Sequence, residues 1–401
     1  MDNTKNKNRI QKTKSNIIRN TIKMMILVLL GFVTIACNAK TEKKTEEKLA
    51  INENPKPKQT TIKVALLLDT SSSMDGLIDQ AKSQLWKIVN ELSYAKCEHV
   101  TPNLEIALYE YGNDALETSD GFIRQVIGFS TDLDEISEKL FSLDTDGGSE
   151  YCGAVIQTSL KELKWGKNKN DLNIIFIAGN EAFTQGEVSY KNVIADAVEK
   201  DIVVNTIFCG DYRNGVSGKW ADAAQIGKGE YMTINQNKQI VHISTPYDKV
   251  IIQLNTKLNK TYIHYGSRGV KKMRMQAVQD NNASTLSEEV AVGRAVSKSS
   301  RAYSNSSWDL VDAKKEKGFD YAKVDKRKLT KELQNKTTKQ LKKYVEEQST
   351  KRKKIQQEIQ KVNKQRQQYI SKNKKNNKGD ELESVMLNAI KNQAKKKNYT
   401  W

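Results

Sequence analysis

Short apolar runs alternate with segments of helical spacing through the middle of this 401-residue chain. Between most of the runs, apolar residues recur every three or four positions, as in 76–92 and 188–199, which predicts amphipathic helices. Strands that are mostly apolar and that alternate with helices are typical of a doubly wound, mostly parallel sheet with helices on both faces. We therefore predict an α/β fold over residues 61–240 and a C-terminal α-helical region over 241–401. The runs lie at 62–68, 104–111, 122–129, 172–178, 202–208 and 231–234.

The first 36 residues have the composition of an export signal. Lys and Arg side chains between residues 5 and 23 precede an apolar run at 24–36, which is too short for an ordinary membrane-spanning helix. The small residue Ala36 stands directly before Cys37, as in a bacterial lipobox, so we predict cleavage before Cys37 and lipidation of its thiol. An uncut signal anchor is the alternative. Either one places the rest of the chain outside the cytoplasm. We predict a cell-envelope protein that is lipid-anchored to the bacterial outer membrane, periplasmic or surface-exposed, with residues 37–60 as a disordered tether.

Three loops are predicted to meet at one edge of the sheet, because ligand sites in such folds lie beyond the carboxyl ends of the strands. The first loop reads Asp-Thr-Ser-Ser-Ser from Asp69 and follows a buried strand. A tight turn there would aim the hydroxyls of Ser71 and Ser73 at one point above the Asp69 carboxylate. Hydroxyl and carboxylate oxygens are ligands that Mg²⁺ prefers. The alternative is a serine-rich turn that only caps the following helix.

An Asp-x-Ser-x-Ser motif at the end of the first strand resembles the metal-ion-dependent adhesion site of von Willebrand factor A domains. A Gly-Gly-Ser loop that ends at Ser149 supports the resemblance, which covers roughly residues 61–235. It implies that Ser149 stands in for the family's usual threonine. It also implies that Asp69, Ser71, Ser73 and Ser149 hold Mg²⁺, or else Mn²⁺ or Ca²⁺. A partner protein would then supply an Asp or Glu carboxylate to an open coordination position.

The third loop departs from the family pattern. The family usually ends its fourth strand with an aspartate followed by glycine, whereas Gly179 stands in the aspartate's place here. We expect Asn180 or Glu181 to complete the metal shell from one or two positions further on. Asp146 and Glu150, which flank the second loop, are candidates for restoring the missing negative charge.

Two phrases, at 150–153 and 179–186, are similar to a bacterial branch of this family that occurs in predicted exported proteins. In that branch a helical region that contains a Trp follows the domain, and the region that follows the domain here contains Trp308. The resemblance therefore implies a bacterial lipoprotein with an adhesion-type domain.

The remaining cysteines are Cys97, Cys152 and Cys209. Cys152 opens the predicted helix after the second loop and Cys209 ends a predicted strand, so both are expected at the edge that carries the site. Because an exterior compartment permits disulfides, we hypothesise that Cys152 and Cys209 pair. Buried free thiols are the alternative, since a disulfide demands a geometry that sequence does not establish.

Charge divides the chain into an acidic middle and a basic end. Residues 63–250 hold 17 Lys and Arg against 28 Asp and Glu, whereas residues 251–401 hold 36 against 15. The basic end favours an anionic surface such as lipid headgroups, although solvated helix surface explains such runs as well. The few interleaved aromatic residues do not indicate nucleic-acid binding.

The basic end also carries helical patterns. Ile355, Ile359, Val362 and Tyr369 follow a heptad-like spacing that Arg366 interrupts, and the apolar positions in 382–390 mark a last amphipathic helix. These patterns predict a helical hairpin or short coiled coil that packs on the α/β domain or binds a partner.

No catalytic motif is evident, since the three histidines do not form the spaced pair of a zinc hydrolase and there is no nucleophile elbow or P-loop. We therefore assign no catalytic residue and predict that the chain is not an enzyme. The predicted function is metal-dependent protein–protein binding in adhesion or envelope assembly. The alternatives are a metal-independent interaction module with a degenerate site and, third, an envelope hydrolase.

Overall fold

Six strands form one sheet in the computed structural model, which describes residues 59–237, 243–373 and 382–401. Their spatial order is β4-β3-β1-β5-β6-β7, and only β4 runs antiparallel to its neighbour. The predicted mostly parallel sheet is thus confirmed. Two short strands, β2 and β8, form a separate antiparallel pair. The strands are β1 Thr61–Asp69, β2 Lys96–Cys97, β3 Asn103–Tyr111, β4 Ile123–Ser130, β5 Leu172–Gly179, β6 Ile202–Cys209, β7 Lys228–Ile234 and β8 Tyr399–Thr400.

The helices surround this sheet and continue through the basic end of the chain. The described ones are α1 Asp75–Leu92, α2 Leu133–Phe141, α3 Cys152–Glu162, α4 Tyr190–Glu199, α5 Tyr212–Ser217, α6 Trp220–Ile226, α7 Asp248–Asn259, α8 Gly269–Leu286, α9 Glu288–Lys298, α10 Leu310–Ala313, α11 Lys331–Gln334, α12 Thr338–Asn373 and α13 Leu382–Lys395. Within the described ranges no helix has both the length and the apolar character needed to cross a membrane. The predicted signal peptide, Cys37 and all but the end of the tether lie outside the described residues.

Both faces of the sheet are buried, which explains why its central strands are almost continuously apolar. Alternate residues of a strand point to opposite faces. Ala65 and Ile175 therefore belong to a core shared with α3 and α4, whereas Val64 and Ile174 belong to a core shared with α1 and α2. The fold class predicted from the apolar runs is thus the one observed.

The last helix, α13, covers the α1 face of the sheet, although residues 235–381 separate it from β7 in sequence. It contacts α1, β5 and β7. The side chain of Gln80 in α1 makes hydrogen bonds both to the segment that follows β7 and to the first residue of α13. Its Nε2 donates to the carbonyl oxygen of Asn235 at 2.8 Å, and its Oε1 accepts from the backbone nitrogen of Leu382 at 3.4 Å. The C-terminal helix is therefore part of the layered sheet domain.

The long helix α12 packs against α7 and α9 of the same chain. Its buried stripe contains Leu341, Val345 and Ile359, but it also contains two arginines. Arg352 Nη1 lies 2.6 Å from Asp309 Oδ2, and Arg366 Nε lies 2.6 Å from an oxygen of the α7 residue Asp248. Arg366 therefore does not simply interrupt the heptad-like stripe, because a buried carboxylate pairs with it.

Candidate metal centre

The loop after β1 links four of the predicted site residues through hydrogen bonds. Asp69 is fully buried, and its Oδ1 accepts from the backbone nitrogen of Ser71 at 2.8 Å. The hydroxyl oxygens of Ser71 and Ser73 lie 3.3 Å apart, and Asn180 Nδ2 donates to Ser73 Oγ at 2.9 Å. These contacts form because β1 and β5 are paired parallel neighbours, with Leu68 beside Ala178 in register, so that their carboxyl ends adjoin.

The second loop lies against the first through its backbone. Ser72 N donates to the carbonyl oxygen of Gly147 at 3.0 Å, and Asp146 N donates to that of Thr70 at 3.0 Å. Ser149 is half-buried in this loop, and none of the hydrogen bonds found among the described residues involves its hydroxyl. The structure therefore places Ser149 beside the linked set without connecting it to that set.

Glu181 lies at the rim of the site. Its side chain is exposed, while its carbonyl oxygen accepts a hydrogen bond from Trp220 Nε1 at 2.7 Å. The negative charge of Glu181 acts on both Asp69 and Glu150, with the effect of raising the pKa of each. Glu181 thus contributes to the field of the site from its edge.

Glu150 was predicted as a candidate for restoring the site's negative charge, although it was not included in the predicted ligand set. It is only 4 % exposed. A Cβ added to Gly112 would lie 2.6 Å from Glu150 Cγ and 3.0 Å from Asp69 Oδ1. Gly112 also has a φ of 77°, a conformation that favours glycine. The bare Gly112 backbone therefore lets the Glu150 side chain approach Asp69, and the glycine that follows β3 is a sequence signal that could have indicated this contact.

The electrostatics of the site disfavour two bare carboxylates. Burial raises the pKa of Asp69 to about 6, although hydrogen bonds from Ser71 oppose the rise. Burial, followed by the charge of Asp69, raises the pKa of Glu150 to about 7. Asp69 Oδ2, Glu150 Oε2 and Asn180 Oδ1 are buried and have no hydrogen-bond partner in the described ranges. Buried polar atoms without partners are costly, so the site has unmet capacity for a positively charged ligand.

The donor set determines which cation would fit. In the described part of the chain, no group of three or more His, Cys, Asp or Glu side chains has an arrangement that could hold a metal ion. A cation at this edge would therefore depend on hydroxyl and amide oxygens together with carboxylates. Such oxygen donors suit Mg²⁺, Mn²⁺ or Ca²⁺ better than metals that prefer sulfur or imidazole.

Gly179 has a steric reason to lack the side chain usual in the family. A Cβ added there would lie 2.6 Å from the hydroxyl oxygen of Tyr111 and 2.9 Å from Asp69 Oδ2. Tyr111 is fully buried, and its hydroxyl donates to the carbonyl oxygen of Ala178 at 3.0 Å. The phenol of Tyr111 therefore occupies the space that an aspartate at position 179 would enter.

Cys152 and Cys209 are both free buried thiols, so the disulfide hypothesised from the sequence is not formed. Cys152 belongs to the core on the α3 face, where its Sγ lies 3.8 Å from the hydroxyl oxygen of Tyr111. Cys209 belongs to the core on the α1 face. Both residues lie at the same edge of the sheet, as expected, but their side chains lie on opposite faces of it.

Several solved structures are similar to part of this chain. The VWA domain of SpRpn10 is 15 % identical, with 45 % of this chain and 91 % of that chain covered and a TM-score of 0.34. BatB from Bacteroides thetaiotaomicron is 17 % identical, with coverages of 50 % and 99 % and a TM-score of 0.32. Proximal thread matrix protein 1 from the mussel byssus, with a zinc occupied MIDAS motif, is 10 % identical, with coverages of 45 % and 43 % and a TM-score of 0.32.

Among curated proteins there is no match to this sequence. A family model does match, and its description is von Willebrand factor type A domain. The matched segment begins within β1 and contains the other five strands of the sheet and the three loops of the candidate site. Residues 63–240 of this chain are therefore a von Willebrand factor type A domain.

Proposed function

We propose that this chain binds a partner protein through a divalent cation held at the carboxyl edge of its von Willebrand factor type A domain. The observation that carries the proposal is the group of buried, unpartnered oxygens on Asp69 and Asn180 beside the hydroxyls of Ser71 and Ser73. Mg²⁺ or Mn²⁺ would satisfy these atoms and neutralise the buried charge. Ser149 would contribute a further hydroxyl.

The exposed side of the site is suited to a partner's carboxylate. Ser73 is exposed, so a cation beside its hydroxyl would keep a coordination position open toward solvent. The surrounding loops carry the exposed acidic residues Asp114, Asp144, Asp146 and Glu181. Without a cation, this acidic rim would repel an Asp or Glu of the partner. With a cation in place the same carboxylate would become a ligand, so binding would depend on the metal.

We propose that the domain works outside the cytoplasm, in the cell envelope and tethered through a lipid on Cys37. The support is the sequence of the first 37 residues, with a basic stretch, a short apolar run and a small residue before the cysteine. Exposed lysines on α12, among them Lys342, Lys353 and Lys361, would then lie where anionic headgroups could attract them.

A binding role fits the site better than cysteine catalysis does. Cys152 is fully buried, and burial raises the pKa of its thiol, so little thiolate is available as a nucleophile. A metal-independent interaction module remains the second candidate. The observation in its favour is that Gly179 replaces the aspartate usual in the family.

The deciding experiment combines cation titration with partner capture. The full chain, Asp69→Ala and the control Asp196→Ala, which changes an exposed aspartate of α4, are titrated with Mn²⁺ and used as bait on native envelope extract with and without chelator. We expect the wild type and the control to bind Mn²⁺ and to capture a partner that chelator releases, and Asp69→Ala to do neither. Chelator-resistant capture that Asp69→Ala preserves would establish the metal-independent module instead.

A further inference from the structure

We infer that Glu150 is a direct ligand of the cation and supplies the negative charge that the family's missing aspartate would otherwise bring. This inference rests on the proposed function and assigns one more residue to the same site. It makes the donor set two carboxylates, two or three hydroxyls and one amide.

The path of the Glu150 side chain is the first argument. Glu150 follows Ser149 in the second loop and is almost completely buried. Its Cγ lies against the backbone of Gly112, on the side where Asp69 Oδ1 is also found. A Cβ added to Gly148 would lie 3.1 Å from Glu150 Oε1 and 3.7 Å from Ser71 Cβ. The carboxylate is therefore directed toward Asp69 and Ser71 rather than toward solvent.

The second argument is that two other buried carboxylates in this protein are paired with arginines. Asp309 lies 2.6 Å from Arg352, and Asp134 lies 2.9 Å from Arg294. Each of these buried anions thus has a cationic partner within the fold, as buried charges require.

Within the described part of the chain, Glu150 has no such counter-charge. The charges that act most strongly on it are those of Asp69, Glu181 and Asp114, and all three are negative. The side chain of Ser71 opposes the rise in the pKa of Glu150 through a hydrogen bond, but Glu150 Oε2 is buried and has no hydrogen-bond partner among the described residues. A buried carboxylate among other carboxylates fits a cation that comes from solution.

The third argument is that there is no room for a side chain at position 179. The phenol of Tyr111 lies beside Gly179, so an aspartate side chain at position 179 would clash with it. Glu150 reaches Asp69 from the β3 side, where Gly112 leaves room. Two carboxylates balance the charge of a divalent cation, whereas Asp69 alone would leave one positive charge for the partner to neutralise.

The test compares Mn²⁺ affinity in the full chain, Glu150→Gln, Glu150→Asp and the control Asp196→Asn, which removes an exposed charge from α4, away from the site. Isothermal titration gives the affinity, and water-proton relaxation gives the number of Mn²⁺-bound waters. We expect Glu150→Gln to weaken binding at least about tenfold, since even second-shell changes cost that much at metal sites. It should also add one metal-bound water. Asp196→Asn should stay close to wild type.

Glu150→Asp keeps the charge but shortens the side chain, so it separates direct ligation from a general field effect. Weakened binding in both Glu150 variants supports the inference, and if Glu150→Gln does not fold, Glu150→Asp alone decides. If the Glu150 variants have the same Mn²⁺ affinity and the same number of Mn²⁺-bound waters as the wild type, the inference is overturned and the proposed function is left intact. A wild-type chain that binds no Mn²⁺ would overturn both.

Discussion

Gln393 in the last helix donates a 2.6 Å hydrogen bond to Asn205 in β6, and both side chains are buried. Asn205 Oδ1 also accepts from the backbone nitrogen of Glu230 in β7, at 2.9 Å. A polar pair of this kind is tolerated in a core only when its atoms have partners. The C-terminal helix is therefore a fixed part of the layer that covers β5, β6 and β7.

Ile390→Ala should destabilise the whole α/β domain, although residue 390 lies far outside the segment that the family model matches. Ile390 is fully buried between α13 and the sheet. Truncation of such a side chain leaves a cavity, so we expect the free energy of unfolding to fall by about 2–5 kcal/mol. Urea unfolding followed by tryptophan fluorescence measures the change. Lys395→Ala, at an exposed position of the same helix, is the control and should have little effect.

Arg352→Met should be strongly destabilising because it leaves a buried anion without its partner. Asp309 is fully buried, and Arg352 binds both of its oxygens, at 2.6 and 3.1 Å. Removal of one partner from a buried ion pair costs about 3–5 kcal/mol. Thermal and urea unfolding would measure this loss against Lys351→Met, an exposed neighbour on α12. Stability of Arg352→Met equal to that of Lys351→Met would contradict the explanation.

The ion cluster between α8 and α9 should make the protein sensitive to acid. Burial acts to raise the pKa of Asp280, but the charges of Lys298 and Arg294 outweigh it and lower the pKa from 3.8 to about 2. The folded state therefore holds its ionised carboxylate more favourably than the unfolded state does. This stabilisation is present above pH 4 and is lost as pH falls toward 2.

Comparison with Asp280→Asn isolates this contribution. Urea unfolding at several pH values should show the wild type more stable than the variant by about 2 kcal/mol at pH 6. The difference should shrink steadily between pH 4 and pH 2. A difference that stays constant over that range would show that the carboxylate does not act through its charge.

The parts of the fold that depend on short stretches of sequence could be predicted. The apolar runs predicted the strands, and the rule that parallel strands end at one edge predicted that Asp69 and Asn180 would adjoin. The place of Glu150 was harder to predict, since its approach to Asp69 depends on the absence of a side chain at Gly112, on another strand. The pairing of Arg366 with Asp248 could not be predicted from the sequence, because Asp248 lies in a different helix.

The disulfide hypothesis shows a different limit. Cys152 and Cys209 were correctly expected at one edge, but the edge does not specify on which face of the sheet each side chain lies. Ile207 and Cys209 share a face because strand residues alternate, and that face is opposite the one covered by α3. Strand parity together with the face assigned to each helix would have separated the two thiols.

Gly179→Asp, which restores the family's usual residue, should fail to improve cation binding in the wild-type background. The new side chain would meet the Tyr111 hydroxyl, since even its Cβ would lie 2.6 Å from that oxygen. It would also add a third carboxylate beside Asp69 and Glu150. We expect a lower melting temperature without metal and no gain in Mn²⁺ affinity.

Tyr111→Phe removes the hydroxyl that blocks position 179. The double variant Tyr111→Phe/Gly179→Asp should therefore bind Mn²⁺ more tightly than Gly179→Asp alone, whereas Tyr111→Phe by itself should leave the affinity close to that of the wild type. Melting curves with and without Mn²⁺ report stability and binding together. If Gly179→Asp alone binds Mn²⁺ more tightly than the wild type, then Tyr111 does not exclude a side chain at position 179, and the steric reason for the departure from the family pattern is wrong.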